Sequence, residues 1–271
     1  MNDEQRKWIY WAIPIAIVIA AAAALYYGRT RQAEPQPQVA ETSEPTPAVE
    51  QPVQHPLETE APAEPLPSLS ESDPLVQQSL LDSFGRSLEQ FLIPKDIVRN
   101  TVATIDNLPR KKLPVQRLPV QPTPGELVVN NDGDVTLSAA NYARYEPAVK
   151  LLQSVDAAQA AQLYRRFYPL FQQAYADLGY PDGYFNDRLV EVIDHLLAAP
   201  EIEGPIRLTQ PSVFYEFADP SLEERSAGQK LLVRIGPKNA AIVKAKLREL
   251  RAAITAGEQS FEPQTPENEQ D

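Results

Sequence analysis

Residues 156–179 read DAAQAAQLYRRFYPLFQQAYADLG. Ala160, Leu163, Tyr164, Phe167, Phe171, Ala174 and Leu178 recur at steps of three and four, the period of one helix face. Asp156 stands where a side-chain oxygen caps the first free N–H groups, and Gly179 stands where a helix stops. Pro169 removes the donor to the Arg165 carbonyl, so a kink is expected there. An amphipathic helix of this length needs apolar neighbours, and the chain supplies them on both sides.

Upstream, Asp73-Pro74 has the form of a helix start, with a cap followed by proline at the first helical position. Leu75, Leu80, Leu81 and Phe84 follow, then Gly85, and the apolar pattern resumes from Leu88 to Ile93. Pro94 is placed to open a further helix, with Ile97, Val98, Thr101, Val102 and Ile105 on one side. Residues 108–124, LPRKKLPVQRLPVQPTP, are too rich in proline for regular helix. In GELVVNNDGDVTLS, Leu127–Val129 and Val135–Leu137 flank a turn-rich centre, the pattern of a small β-hairpin. Ser138 then caps a helix through Tyr142, Tyr145, Val149 and Leu152; Pro147 leaves open whether it is one piece or two.

Downstream, Phe185, Leu189, Val192, Ile193 and Leu196 mark a helix ending at Pro200. Ile206–Leu208 and Val213–Phe217 have the composition of short strands. Pro220 opens a helix to Gly236, and Pro237 starts the last, with Val243, Leu247, Leu250 and Ile254 on one face. The fold class expected for 72–257 is mainly α, a helical domain with one or two short β-hairpins. Whether 72–107 and 125–257 form separate subdomains is open at this level.

The rest of the chain is different in kind. Of 271 residues 27 are proline, none is cysteine and the net charge is −12. The acidity is local: residues 32–71 hold eight glutamates, no Lys or Arg and nine prolines. Such a segment has too little apolar surface to offset its ordering entropy, so 28–71 reads as a disordered, semi-stiff linker. Residues 258–271 read as a disordered acidic tail. Without cysteine there is no disulfide framework, thiolate metal site or thiol nucleophile. The acidic balance argues against nucleic acid as a partner.

Residues 8–27, WIYWAIPIAIVIAAAAALYY, run twenty positions without a charge, the length that crosses a hydrocarbon core. Aromatic residues stand at both ends, as at membrane interfaces. A cleaved signal peptide is the competing reading, but its apolar stretch is usually shorter. The expectation is a transmembrane helix after a short cytoplasmic N-terminus, residues 1–7. No Lys or Arg falls between Arg31 and Arg86, so the bulk of the chain is expected outside, in the periplasm of a bacterium with two membranes.

No motif carrying a mechanism is present: no P-loop, dinucleotide fingerprint, nucleophile elbow or zinc-protease helix. Asp187, Glu191 and His195 fall on one helix face, a weak metal or acid/base set that reads better as a solvated polar face. His55 lies in the linker and is expected to be inert. Glu216, Asp219, Glu223 and Glu224 cluster near FYEFADPSLEE; they offer either an acid pair of glycosidase type or the cap and first turn of a helix. The tyrosines from Tyr142 to Tyr184 read as packing rather than as a glycan platform. The candidate binding surface is the basic set Lys230, Arg234, Lys238, Lys244, Lys246, Arg248 and Arg251, suited to an acidic partner or anionic polymer. A solvated helix face, neutralised by the chain's own acidic segments, is the plainer reading of the same residues.

Four strings carry a resemblance: LPRKKLPVQ at 108–116, NYARYEPAV at 141–149, FYPLFQQAYADLGYPDGYF at 167–185 and VFYEFADPSLEERSAGQKLLVRIGP at 213–237. Together they resemble the bacterial family called domain of unknown function 3014, over roughly residues 72–256. The resemblance implies a single-pass, N-terminally anchored proteobacterial protein with a proline-rich spacer. It brings no activity. It directs attention to Asp219, Glu223, Gln229, Lys230, Arg234 and Gly236. The expected function is that of an inner-membrane-anchored envelope protein whose domain binds a protein partner or anionic wall polymer. No catalytic residue, metal or cofactor is expected. The alternative is a membrane-tethered hydrolase of envelope glycan.

Overall fold

The computed structural model of the chain describes residues 52–57 and 65–256. All of these fall in the second of two units, which divide the chain after Glu50. The expected N-terminus (1–7), membrane helix (8–27), most of the linker and the acidic tail (258–271) lie outside the described residues. Among the described residues no helix is long and apolar enough to cross a membrane.

Mainly helical structure is found. The helices are α1 (Asp73–Phe84), α2 (Ile97–Asn107), α3 (Ala140–Ser154), α4 (Ala157–Asp177), α5 (Phe185–Leu197), α6 (Pro220–Glu223), α7 (Ala227–Arg234) and α8 (Pro237–Thr255). Four two-residue strands accompany them: β1 (Val129–Asn130), β2 (Thr136–Leu137), β3 (Leu208–Thr209) and β4 (Glu216–Phe217).

The 156–179 reading survives as α4. Asp156 Oδ1 accepts the Gln159 N–H at 2.7 Å, and Gly179 ends the run at φ +116°. Pro169 is accommodated inside the helix. Phe167, Tyr168, Leu170, Ala174 and Tyr175 are buried, with Val76 of α1, Ile97, Val98 and Val102 of α2, and Phe185 at the start of α5. Phe185 is fully buried, a contribution of about 2–3 kcal/mol. Its ring stacks at 5.9 Å on Phe171, within a cluster that includes Tyr164, Tyr168 and Tyr175. The central tyrosines are therefore packing groups. α1 and α2 share this core with α4, so 72–107 is not a separate subdomain.

Local expectations change where a distant partner intervenes. Asp73 does not cap its own helix. Its carboxylate accepts the N–H groups of Asp96 (2.6 Å) and Ile97 (2.8 Å), capping α2, which starts at Ile97 rather than Pro94. Pro147 is exposed and sits inside the unbroken α3, where water can satisfy the carbonyl that it frees. The expected helix from Pro220 to Gly236 is two helices, because Ser226 Oγ accepts the Gln229 N–H at 3.2 Å and starts α7 afresh. Gly236 then has φ +87°, and a Cβ there would lie 2.5 Å from the Tyr142 ring, so only glycine fits.

Both expected hairpins form, and they join. β1 pairs with β2 and β3 with β4, all antiparallel. Thr136 bridges Arg207; Leu137 N–H donates to the Ile206 carbonyl and Leu208 N–H to the Val135 carbonyl, each at 2.8 Å. The result is a pair of two-strand hairpins set edge to edge in the order β1-β2-β3-β4 and joined by that bridge. In that order the loops 131–135 and 210–215 lie at the same end. Leu137, Ile206, Leu208 and Phe217 form its buried side, with Leu222 and Val233 packed below.

The folded part begins earlier than the expected Ser72. Leu69 is buried in the main core and Leu66 packs on it. Residues 52–57, expected to be free linker, lie against the start of α5, with Leu57 on the same core. Backbone hydrogen bonds and one leucine hold them there, which composition alone does not reveal.

Candidate functional site

The seven cations of the expected binding surface do not form one open face. Lys230 Nζ donates to Glu223 Oε1 at 2.6 Å and to the Glu223 carbonyl at 3.2 Å. The Lys244 side chain is 5% exposed; its ammonium donates to the Ala199 carbonyl at 2.7 Å and to Glu201 at 3.0 Å. Lys246 reaches the Val155 carbonyl at 2.7 Å and Glu249 at 2.5 Å. Arg251 makes a two-pronged contact with Asp194, at 2.7 and 2.9 Å. The Arg234 guanidinium lies 5.2 Å from the Phe217 ring centroid. Lys238 and Arg248 remain exposed. Long stems let lysines bury their carbons and hold an ammonium against the helix ends and carbonyls that want it.

The acidic loop is also structural. Asp219 accepts the Ser221 N–H at 2.8 Å and caps α6. Glu216 lies in β4 opposite Thr209. Glu223 Oε2 accepts the Phe217 N–H at 2.9 Å while Oε1 holds Lys230. Burial acts to raise the Glu223 carboxyl, but Lys230 and the Phe217 N–H outweigh it and hold the group below the usual carboxylate range. A carboxylate held ionised in this way is poorly suited to the proton-donor role of a glycosidase pair.

Asp187, Glu191 and His195 diverge to different partners. Asp187 takes backbone N–H groups from Gln54 and His55, and Glu191 pairs with Arg188 at 2.7 Å. His195 Nε2 lies 2.8 Å from Ser226 Oγ, and the Gln229 amide donates to the His195 carbonyl at 2.9 Å. This tie joins the end of α5 to the start of α7. Burial lowers the His195 pKa, with Arg188 and Arg225 adding to the effect and Glu191 opposing it.

Two features escaped the reading of the residues. Asp106 is 2% exposed, and its carboxylate takes Arg188 at 3.0 Å and Arg110 at 2.7 Å. Its only sequence signal was the spacing of Asp106 and Arg110. The second is the tip of the β3–β4 hairpin. Val213 and Phe214, expected within a strand, stand instead in the 210–215 loop, 83% and 77% exposed. Pro211-Ser212 before them was the signal for a turn rather than a strand. Separately, the first hairpin contributes to a depression of about 750 Å³, lined by Asn130, Asp132, Asp134, Thr136, Pro205 and Arg207.

A family model described as Protein of unknown function (DUF3014) matches residues 97–251, from the start of α2 almost to the end of α8. The chain belongs to that family. The match takes in the aromatic core, both hairpins and the α5–α7 tie, while α1 and residues 52–57 lie before it. No curated protein and no solved structure matches the chain.

Proposed function

We propose that this chain is a non-enzymatic protein of the bacterial inner membrane, anchored through residues 8–27, whose periplasmic helical domain binds a protein partner at the tip of its β3–β4 hairpin. The observation that carries the binding surface is the exposure of Val213 and Phe214 side by side on one loop tip. Scattered exposed apolar residues are ordinary, but an adjacent pair at the tip of a hairpin offers a compact apolar anchor for a partner's pocket. The 131–135 loop of the other hairpin carries Asp132 and Asp134, acids for a polar rim.

Anionic wall polymer is the weaker choice of ligand. Five of the seven cations that favoured it have internal partners or a ring to cover. The hydrolase reading finds little in this loop, because both Glu223 oxygens are taken by Lys230 and the Phe217 N–H and Asp219 caps α6.

The test is a photo-crosslinking amino acid placed at position 214 in the full chain in cells, with position 78 on the exposed side of α1 as reference. Capture of one defined protein from 214 and none from 78 is expected. Equal capture from both positions overturns the assignment. Release of soluble fragments from purified sacculi by the full chain overturns the non-enzymatic reading.

A further inference from the structure

Residues 52–57 read PVQHPL, and their contacts to the start of α5 are specific. The Asp187 carboxylate accepts two consecutive backbone N–H groups, from Gln54 at 3.0 Å and from His55 at 2.7 Å. The Asn186 side-chain amide donates to the His55 carbonyl at 2.8 Å. The Leu57 N–H donates to the Tyr184 hydroxyl at 2.8 Å, and the Leu57 side chain packs on the main core. Pro56, which has no N–H, falls at the one position between these donors.

The receiving groups are also held by the domain itself. Asn186 is fully buried, and its side-chain oxygen accepts the Tyr164 hydroxyl at 3.2 Å, which points the amide outward. Tyr164 and Tyr184 are both packed on the aromatic core. Asp187 sits in the first turn of α5, where a carboxylate is favoured. A carboxylate gripping two adjacent N–H groups, an amide gripping the next carbonyl and a half-buried seat for leucine read a backbone that bends at Gln54 and His55, where successive N–H groups turn to one side. Prolines at positions 52 and 56 stiffen the segment and reduce the entropy lost on docking.

We infer that Tyr184, Asn186 and Asp187 form a recognition site for a peptide of the pattern x-x-Pro-Leu that bends just before its proline, and that residues 54–57 of the same chain are its resident occupant. The site is independent of the hairpin end. The docked segment holds residues 54–57 on the domain, and its release frees them.

The test uses the full chain and a labelled peptide with the sequence of residues 50–60. Amide exchange at Gln54, His55 and Leu57 in the intact chain is expected to be at least tenfold slower than in the chain carrying Leu57→Asp. The peptide is expected to bind the Leu57→Asp chain, to bind the intact chain at least tenfold more weakly, and to lose binding when Asp187→Ala is added. His55→Pro removes one N–H and leaves Leu57 in place, so it repeats the release without touching the core. Thermal unfolding of each variant shows that the domain remains folded. Unprotected amides in the intact chain, or equal peptide binding with and without Asp187, overturn the site. Sedimentation showing a dimer that Leu57→Asp dissolves overturns the assignment to the same chain in favour of a second copy.

Discussion

The segment from α7 to α8 and the tip of the β3–β4 hairpin differ in the direction in which their chemistry faces. The first carries Lys230, Arg234, Lys244, Lys246 and Arg251, and the structure turns them onto carboxylates, carbonyls and a ring. The second carries Val213 and Phe214 and turns them to solvent. Each is the inverse of what composition suggests. The comparison teaches that a run of charge on a helix is not a surface until its partners are known. An apolar pair in a short loop, which ordinary strand composition conceals, has more to offer a partner.

Breaking the inward side costs most. Lys244→Ala removes a buried ammonium and leaves the Ala199 carbonyl at the end of α5 without its donor. A loss of about 2–3 kcal/mol is expected, read as a lower urea midpoint. Lys238→Glu with Arg248→Glu, at the two exposed cations, is expected to stay within about 0.5 kcal/mol of the parent. Equal effects from the two sets would erase the distinction between inward and outward cations.

Glu223→Gln comes next. It weakens the bond to Lys230 and is expected to cost about 1–2 kcal/mol at neutral pH. Because the folded chain holds Glu223 below its ordinary value of 4.5, the contribution is complete above that value. It is lost as pH falls through the folded value. Urea unfolding at pH 7 and pH 3 should therefore show a smaller acid loss in the variant than in the parent.

His195→Gln tests the tie between α5 and α7 and has a smaller effect. His195 is held below its ordinary 6.5, first by burial, so the unfolded chain binds the proton more readily. The parent loses stability as pH drops below about 6.5, down to the folded value. Glutamine keeps a hydrogen-bonding group towards Ser226 and cannot titrate. The variant is expected to lose this slope, measured by unfolding at pH 7.5 and 5.5.

Phe214→Ser should have the smallest effect on stability, within about 0.5 kcal/mol, since the side chain is exposed. A loss of 2 kcal/mol or more would show that the tip is packed, not presented.

How much was legible follows from which contacts are local. The period of α4 and its Asp156 cap are local, and both were read correctly. The LPVQ-rich stretch was expected to be irregular and holds only a short turn at 115–117. Asp73 was misassigned because its partners lie 23 and 24 residues away. Ser226 and Gln229 have the spacing of a helix start, but Asp219-Pro220 offers an equally strong one just upstream, so local signals alone do not divide the segment. Residues 52–57 were hidden for a different reason. Their docking is made by backbone groups, which every sequence shares, onto side chains more than a hundred positions on. For the candidate site, residue types alone located the charges but not their direction.

The most direct test of the central claim compares the yield of the protein crosslinked from position 214 in two variants of the full chain. With Lys238→Glu and Arg248→Glu the yield is predicted to match the parent; with Val213→Asp it is predicted to fall at least tenfold. Loss of capture on charge reversal, with Val213→Asp unaffected, would contradict the account.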